Sequence, residues 1–96
     1  MITGVAIVVA VENLASADLD GEAILLDINT GYYYGLNEVG ASIMDLIKEP
    51  TSVMAIMDTL LQEYEVEAEQ LERDVTTFLQ VMEDRQLIRI MNGAVT

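Results

Sequence analysis

The sequence predicts an α+β fold in which a three-stranded antiparallel sheet is followed by three helices. Two observations carry this prediction. Residues 21–47 hold an alternating apolar strand, a turn, an aromatic strand and the start of a helix. Residues 53–85 hold apolar residues that recur at helical spacing. The chain of 96 residues can form one hydrophobic core, so residues 1–96 are expected to form a single domain.

The first strands are predicted from side-chain patterns. Residues 5–11 are a run of β-branched residues and alanine, which is typical of a strand. Residues 13–21 are expected to form a loop or irregular link, because they end in a turn-prone Asp-Gly pair. In residues 22–28 apolar side chains recur at every second position, as in a strand with one face on the core. The simplest arrangement is an antiparallel meander.

The aromatic strand is predicted to be the return strand of a hairpin. Asn29-Thr30-Gly31 supplies the turn, since Gly31 can adopt a positive φ. Residues 32–36 follow and are rich in residues that suit a pleated surface. They contain no Lys, Pro or inward charge of the kind that usually protects a sheet edge. Because the preceding strand is central in a meander, this strand is predicted to have a free edge.

Capping residues define the first two helices. Asn37 is predicted to cap a helix over residues 38–48, and Pro50 breaks it. Thr51 or Ser52 is predicted to cap the second helix. The buried positions predicted for these two helices are Val39, Ile43, Leu46 and Ile47 in the first, and Val53, Ile56, Met57, Leu60, Leu61 and Tyr64 in the second.

A third helix is predicted over residues 67–85, and residues 87–91 are predicted to form a short closing strand. The apolar stripe of the third helix consists of Leu71, Val75, Phe78, Leu79 and Met82. Three helices joined by short connections beside a sheet resemble a winged helix-turn-helix. Such folds often bind DNA, but this helix begins in a run of acidic residues with only Arg73 in opposition, so DNA binding is rejected.

Composition excludes further functions. The chain carries 17 acidic and 4 basic residues, a formal net charge of −13, which disfavours nucleic acid and anionic membranes as partners. Cysteine and histidine are absent, which excludes a disulfide, a thiolate nucleophile and a His-based triad. Acidic pairs are expected by chance in such a chain, so they do not indicate an active site. We therefore expect no enzyme activity and no cofactor or metal. The lack of cysteine fits a cytoplasmic protein.

Four segments together resemble the PqqD-like family. The most specific feature is the aromatic strand running into Leu36-Asn37, with Gly40 close behind. The resemblance covers residues 21–90 and implies a RiPP recognition element, a winged helix-turn-helix domain converted to peptide binding. Members bind the leader segment of a ribosomally made precursor peptide and deliver it to a processing enzyme. The segments are GEAILLD, GYYYGLNEVGASIMDLI, TSVMAIMDTLLQEYEV and DVTTFLQVMEDRQLI.

The resemblance also implies where the leader binds. It adds as a further strand beside residues 32–36 and lies in a groove against the third helix, within residues 74–85. The predicted peptide-binding residues are Tyr32, Tyr33, Tyr34, Gly35 and Leu36 on the strand, and Asp74, Val75, Thr77, Phe78, Val81 and Arg85 on the helix.

Several of these residues also have a purely structural interpretation. Tyr32 and Tyr34 are expected in the core, on the face opposite Tyr33. Val75 and Phe78 are stripe residues that can also form a groove floor. Val81, an apolar residue off the main face, is either part of the groove or an isolated surface residue.

The resemblance implies two kinds of processing enzyme as partner. In lasso-peptide biosynthesis, which the stand-alone aromatic form favours, the partner is a separate cysteine protease that removes the leader. In the PqqD branch proper it is a radical-SAM enzyme. A different class of function is also open, in which the aromatic edge pairs with itself and the chain is a dimerisation module. The leader-binding hypothesis predicts a monomer; an acidic DNA-mimic inhibitor is a distant third alternative.

Overall fold

A computed structural model describes residues 5–20 and 22–91. The elements, in chain order, are β1 (Ile7–Ala10), β2 (Leu14–Leu19), β3 (Glu22–Asp27), β4 (Tyr33–Leu36), α1 (Glu38–Leu46), β5 (Thr51–Ser52), α2 (Val53–Glu63), α3 (Ala68–Asp84) and β6 (Ile88–Met91). This is the α+β architecture that the sequence predicts, with antiparallel sheets and three helices.

The strands form two antiparallel sheets. In the first, here called the hairpin sheet, the order is β2-β3-β4. The β3–β4 register pairs Ala23 with Leu36 and Leu26 with Tyr33. In the second, here called the terminal sheet, the order is β5-β1-β6. Because β3 is central, β4 is an edge strand, and no other described strand pairs with its outer side.

The predicted meander was wrong about which strand pairs with β3 on the side opposite β4. The loop expected at residues 13–21 contains β2, and the strand expected at residues 5–11 contributes β1 to the terminal sheet. The β2 sequence LASADL has little β-branched or aromatic character, so its propensity is weak. Six residue pairs with β3 hold it in place instead. The free edge of the aromatic strand is unaffected, because β3 is central in both arrangements.

Asp27 stabilises the turn that leads into β4. Gly31 has a φ of 78°, as the hairpin prediction requires. The Asp27 carboxylate accepts hydrogen bonds from the Asn13 side chain at 2.9 Å and from the backbone N–H groups of Asn29 and Thr30 at 3.0 and 3.3 Å. Burial of the Asp27 carboxyl raises its pKa, but these hydrogen bonds outweigh burial and hold the pKa below its ordinary value.

The helix starts follow the predicted caps. The Asn37 side chain accepts a hydrogen bond from the Gly40 N–H at 2.7 Å, and the Ser52 hydroxyl accepts one from the Ala55 N–H at 3.1 Å. These bonds satisfy N–H groups that the first helical turn leaves unpaired. The start of α3 has no such side-chain cap at Glu67. Its position is determined by packing of its apolar stripe.

The core lies between the sheets and the helices. Each helix contributes one buried face, and Val8, Leu25 and Ile88 contribute from the strands. Full burial of one such large aliphatic side chain favours folding by roughly 1.5–3 kcal/mol. The helix residues of this core are Ile43, Met44, Val53, Ile56, Leu60, Leu71, Val75, Leu79 and Met82, joined by Ile47 directly after α1 and by Leu87 in the connection between α3 and β6.

Candidate functional site

The open edge of β4 exposes unpaired backbone groups. The Asp27 N–H donates to the Tyr32 carbonyl at 2.8 Å, which fixes the phase of the β3–β4 ladder. In an antiparallel ladder, backbone groups on the same strand face alternate sides. Tyr34 and Leu36 therefore bond toward β3, while the N–H and C=O groups of Tyr33 and Gly35 face the open edge. These four groups can accept an additional strand.

The aromatic side chains on this edge differ in exposure. Tyr32 and Tyr33 are 68% and 70% exposed, whereas Tyr34 is half-buried against the core. The core assignment of Tyr32 was wrong: Tyr32 lies before β4, which begins at Tyr33, and its side chain is exposed to solvent. The core assignment of Tyr34 holds in part. Gly35 is exposed and has no atom within 4 Å of a Cβ built there, so this face of β4 is open at Gly35.

Helix α3 presents one strip of side chains toward the open edge. Asp74, Phe78, Val81 and Arg85 lie four, three and four residues apart, which places them on one face of the helix. Near the C-terminal end of the helix, the Arg85 guanidinium carbon lies 4.9 Å from the centroid of the Tyr34 ring. Near its middle, the Phe78 ring packs beside Gly40. From Tyr34 on β4 to Gly40 on α1 the facing α3 residues run from Arg85 back to Phe78, so α3 runs opposite to the segment that leads from β4 into α1.

A cavity of about 420 Å³ lies between α1 and α3, just beyond the end of β4. This cavity, together with the α3 strip that continues from it to Arg85 beside Tyr34, is called the groove below. Apolar and small side chains form most of its wall, and Asp74 is its one charged lining residue. The cavity depends on Gly40, because a Cβ there would lie 3.0 Å from the Phe78 ring and 3.2 Å from Asn37 Oδ1. The lining residues are Asn37, Val39, Gly40, Ile43, Asp74, Thr77 and Phe78.

The structure brings most of the predicted site residues together. Asp74, Thr77 and Phe78 line the cavity, and Val81, 38% exposed, lies on the same strip between Phe78 and Arg85. Val75 is 0% exposed and faces the core, and it does not line the cavity. Val75 follows the cavity residue Asp74 directly in sequence, yet it faces the core. The apolar pattern alone does not predict that Phe78 lines the cavity and Val75 does not.

Sequence reasoning missed the α1 wall of the cavity. Asn37 was predicted as a cap and Gly40 was part of the family resemblance, but neither was predicted to line the site. A glycine inside a helix costs about 1 kcal/mol relative to alanine. Its presence in the first turn of α1 was the available signal that another group approaches closely there.

Charges around the groove are largely free of internal partners. Among the residues that the structure describes, the ion pair found is Lys48 with Asp45 at 3.1 Å, on the exposed surface. Over the same residues, no group of His, Cys, Asp and Glu side chains is arranged to hold a metal ion. Helices long and apolar enough to cross a bilayer are also lacking within residues 5–20 and 22–91.

An open antiparallel edge facing a helix across an apolar groove is the geometry of domains that bind peptides by strand addition. The family model described as "Coenzyme PQQ synthesis protein D (PqqD)" matches residues 22–88, which is more than half of the chain. The chain therefore belongs to the PqqD family. This confirms the resemblance drawn from the aromatic strand and the helices.

Two solved structures share this fold. The first is TbiB1 in complex with the TbiA(beta) leader peptide, with a TM-score of 0.73 and 33% sequence identity over 84% of this chain and 94% of that one. The second is a lasso peptide synthetase B1 complexed with the leader peptide, with a TM-score of 0.73 and 26% identity over 85% and 96% of the two chains. No curated protein matches this chain significantly.

Proposed function

We propose that this chain binds the leader segment of a ribosomally made precursor peptide by adding it as a strand to β4. The observation that carries the proposal is the open β4 edge, which faces the α3 strip across an apolar groove. Membership of the PqqD family supports it, and two similar structures are complexes with leader peptides. Peptide-binding function also agrees with the acidic surface, which disfavours nucleic acid.

Backbone contacts and side-chain contacts contribute differently to recognition of the leader. The N–H and C=O groups of Tyr33 and Gly35 form the hydrogen bonds of an added strand, which supply affinity without sequence preference. Side chains of the leader that point toward α3 enter the groove beside Phe78 and Val81. These contacts supply selectivity, because they depend on the size and polarity of each leader side chain.

The bound leader is then presented to a separate processing enzyme. This chain has no cysteine or histidine, so a cysteine protease that removes the leader must reside on another chain. Similarity to a lasso peptide synthetase B1 favours this protease over a radical-SAM enzyme. The adaptor raises the effective concentration of the precursor at the enzyme, which requires that it bind both at once.

Fluorescence anisotropy tests leader binding directly. A labelled leader peptide, taken from the precursor gene beside this one, is titrated with this protein, and the TbiA(beta) leader peptide serves as a second probe. We expect saturable binding that survives moderate salt, and a monomer by light scattering before peptide is added. Binding that disappears with salt would indicate only charge attraction. Absence of binding together with a dimer would instead favour self-pairing of the β4 edge.

A further inference from the structure

We propose that the groove reads the charge order of the leader: a basic residue binds beside Asp74, and an acidic residue about five positions later binds beside Arg85. This inference rests on the proposed function, since it assigns the leader's chemistry at the same groove. It adds a register signal that backbone pairing on β4 cannot supply, because strand addition alone is tolerant of register.

The two ends of the groove differ in charge. Asp74 is the charged residue of the cavity wall at the α1 end. Its Oδ1 accepts a hydrogen bond from the Gln70 side chain at 2.9 Å, and it forms no ion pair with a described residue. Glu38 begins α1 directly after Asn37, at the same end. A cation that enters the cavity meets Phe78 as an apolar surface and Asp74 as its counter-charge.

The other end of the groove carries the guanidinium group of Arg85, which the Tyr34 ring holds in place. Arg85 lies over the Tyr34 ring at 4.9 Å, beside the beginning of the open edge. It forms no ion pair with a described carboxylate, although Glu83 and Asp84 directly precede it in the sequence order Glu83-Asp84-Arg85. The Gln80 side chain donates to both of these carboxylates, at 3.2 Å each, and draws them toward its own side of the helix. Stacking restricts Arg85, so little entropy is lost when an acidic side chain pairs with it.

Few basic side chains are available in this chain, which makes the position of Arg85 informative. Lys48 pairs with Asp45, Arg73 donates to Gln70 at 3.1 Å, and Arg89 is exposed on β6. Arg85 is thus the basic residue that lies on the groove strip of α3. In a chain of net charge −13, it gives the groove a local positive end.

Geometry sets the order and spacing of the two charges. A leader that pairs antiparallel with β4, the commoner form of strand pairing, runs in the same direction as α3. Its earlier residues therefore lie near Asp74 and its later residues near Arg85. Asp74 and Arg85 are eleven positions apart, which corresponds to about 16 Å along the helix axis at 1.5 Å per residue. At 3.3 Å per residue an extended peptide covers that distance in about five residues.

A charge scan of the leader tests the inference. Each position of the labelled leader from the neighbouring precursor gene is changed to Lys and, separately, to Glu, and the ratio of the two Kd values is measured by anisotropy. For the wild-type protein, Glu should bind tighter than Lys at one later position, and Lys tighter than Glu about five positions earlier. We expect ratios of about three- to tenfold for such partly exposed pairs.

Charge reversal in the protein assigns each position. Arg85→Glu should invert the preference at the later position only, and Asp74→Lys at the earlier position only. Arg89→Glu and Glu72→Lys are exposed control changes of the same charge, and they should shift all positions equally. Should Arg85→Glu lower the melting temperature strongly, Arg85→Gln keeps the stacking stem and should abolish the preference without inverting it.

The remaining outcomes contradict the inference. If Arg85→Glu and Arg89→Glu shift the ratio of the two Kd values equally, the charge preference comes from the overall acidic field of the protein and not from Arg85. Preferences that appear in the reverse order, or at one shared position, would refute the antiparallel placement. Failure of the proposed function has a different signature. In that case the wild-type protein binds none of the leader variants, or binding is unchanged when the β4 edge is blocked by Tyr33→Pro.

Discussion

The Phe78 ring on α3 packs against the backbone of Gly40 on α1 so closely that a methyl group at residue 40 would lie 3.0 Å from ring atom Cε1. This contact joins the two helices that form the cavity and sets its width. A side chain at residue 40 must move the ring, and the ring is half-buried with open space on its cavity side. A larger side chain at residue 40 therefore narrows the cavity.

Gly40→Ala should weaken leader binding more than it changes stability. Alanine gains about 1 kcal/mol in helix propensity, which offsets much of the cost of moving Phe78. We expect a melting temperature within a few degrees of wild type and binding weakened about three- to tenfold, measured by anisotropy. In the control, Gly40→Ala/Phe78→Leu is compared with Phe78→Leu alone, because the smaller side chain removes the clash while the loss of Phe78 is common to both variants. Undiminished binding by Gly40→Ala would show that the leader does not use the cavity.

Tyr33→Pro should abolish leader binding, whereas Tyr33→Ala should weaken it much less. The Tyr33 N–H faces the open edge, so proline removes a donor to the leader without breaking a bond to β3. Loss of one hydrogen bond costs about 1 kcal/mol, and the proline ring adds steric exclusion of the added strand. Far-UV dichroism must first show that the proline variant is folded. Equal binding by the proline and alanine variants would refute strand addition at β4.

Val81→Glu should weaken leader binding by about tenfold while leaving the melting temperature near wild type. Val81 is 38% exposed, so the carboxylate can stay hydrated in the free protein and loses that hydration only beneath a bound peptide. Leu61→Glu is a matched control, since Leu61 on α2 has the same 38% exposure and lies off the α3 strip. Both variants are titrated with the same labelled leader. A binding curve that Val81→Glu leaves unchanged removes this residue from the site.

Asp27 should make the stability of the hairpin sheet depend on pH in the acid range. Its pKa lies below the ordinary value of 3.8, so the unfolded chain binds the proton more readily than the folded one. The stabilisation is fully present above pH 3.8 and is lost as the pH falls through the lower folded value. Urea unfolding of wild type and Asp27→Asn should therefore differ at neutral pH and converge in acid.

Local signals in the sequence were sufficient for the helices and the hairpin. The side chains of Asn37 and Ser52 each accept a hydrogen bond from a backbone N–H at a helix start, and Gly31 provides the positive φ that the turn needs. These features act over three or four residues, so the sequence displays them directly. The β4 edge was predictable for the same reason, because it follows from the hairpin and from the lack of edge-protecting residues.

Long-range contacts account for what the sequence did not reveal. Strand β2 has weak propensity and exists because β3 pairs with it along its length. Val75 and Phe78 belong to one apolar stripe, and only the position of α1 decides which of them faces the groove. The role of Gly40 depends on the approach of Phe78, a residue 38 positions later in the chain. No local pattern encodes that approach.

Pairing of β1 with β6 joins Ile7 to Met91, so the terminal sheet cannot form until almost all of the described chain has been synthesised. The β3–β4 hairpin, by contrast, closes over a few residues and can form early. During synthesis the β4 edge therefore exists before α3 is available to cover its flank. An unprotected edge of this kind is prone to pair with other chains, and early capture of a leader would shield it.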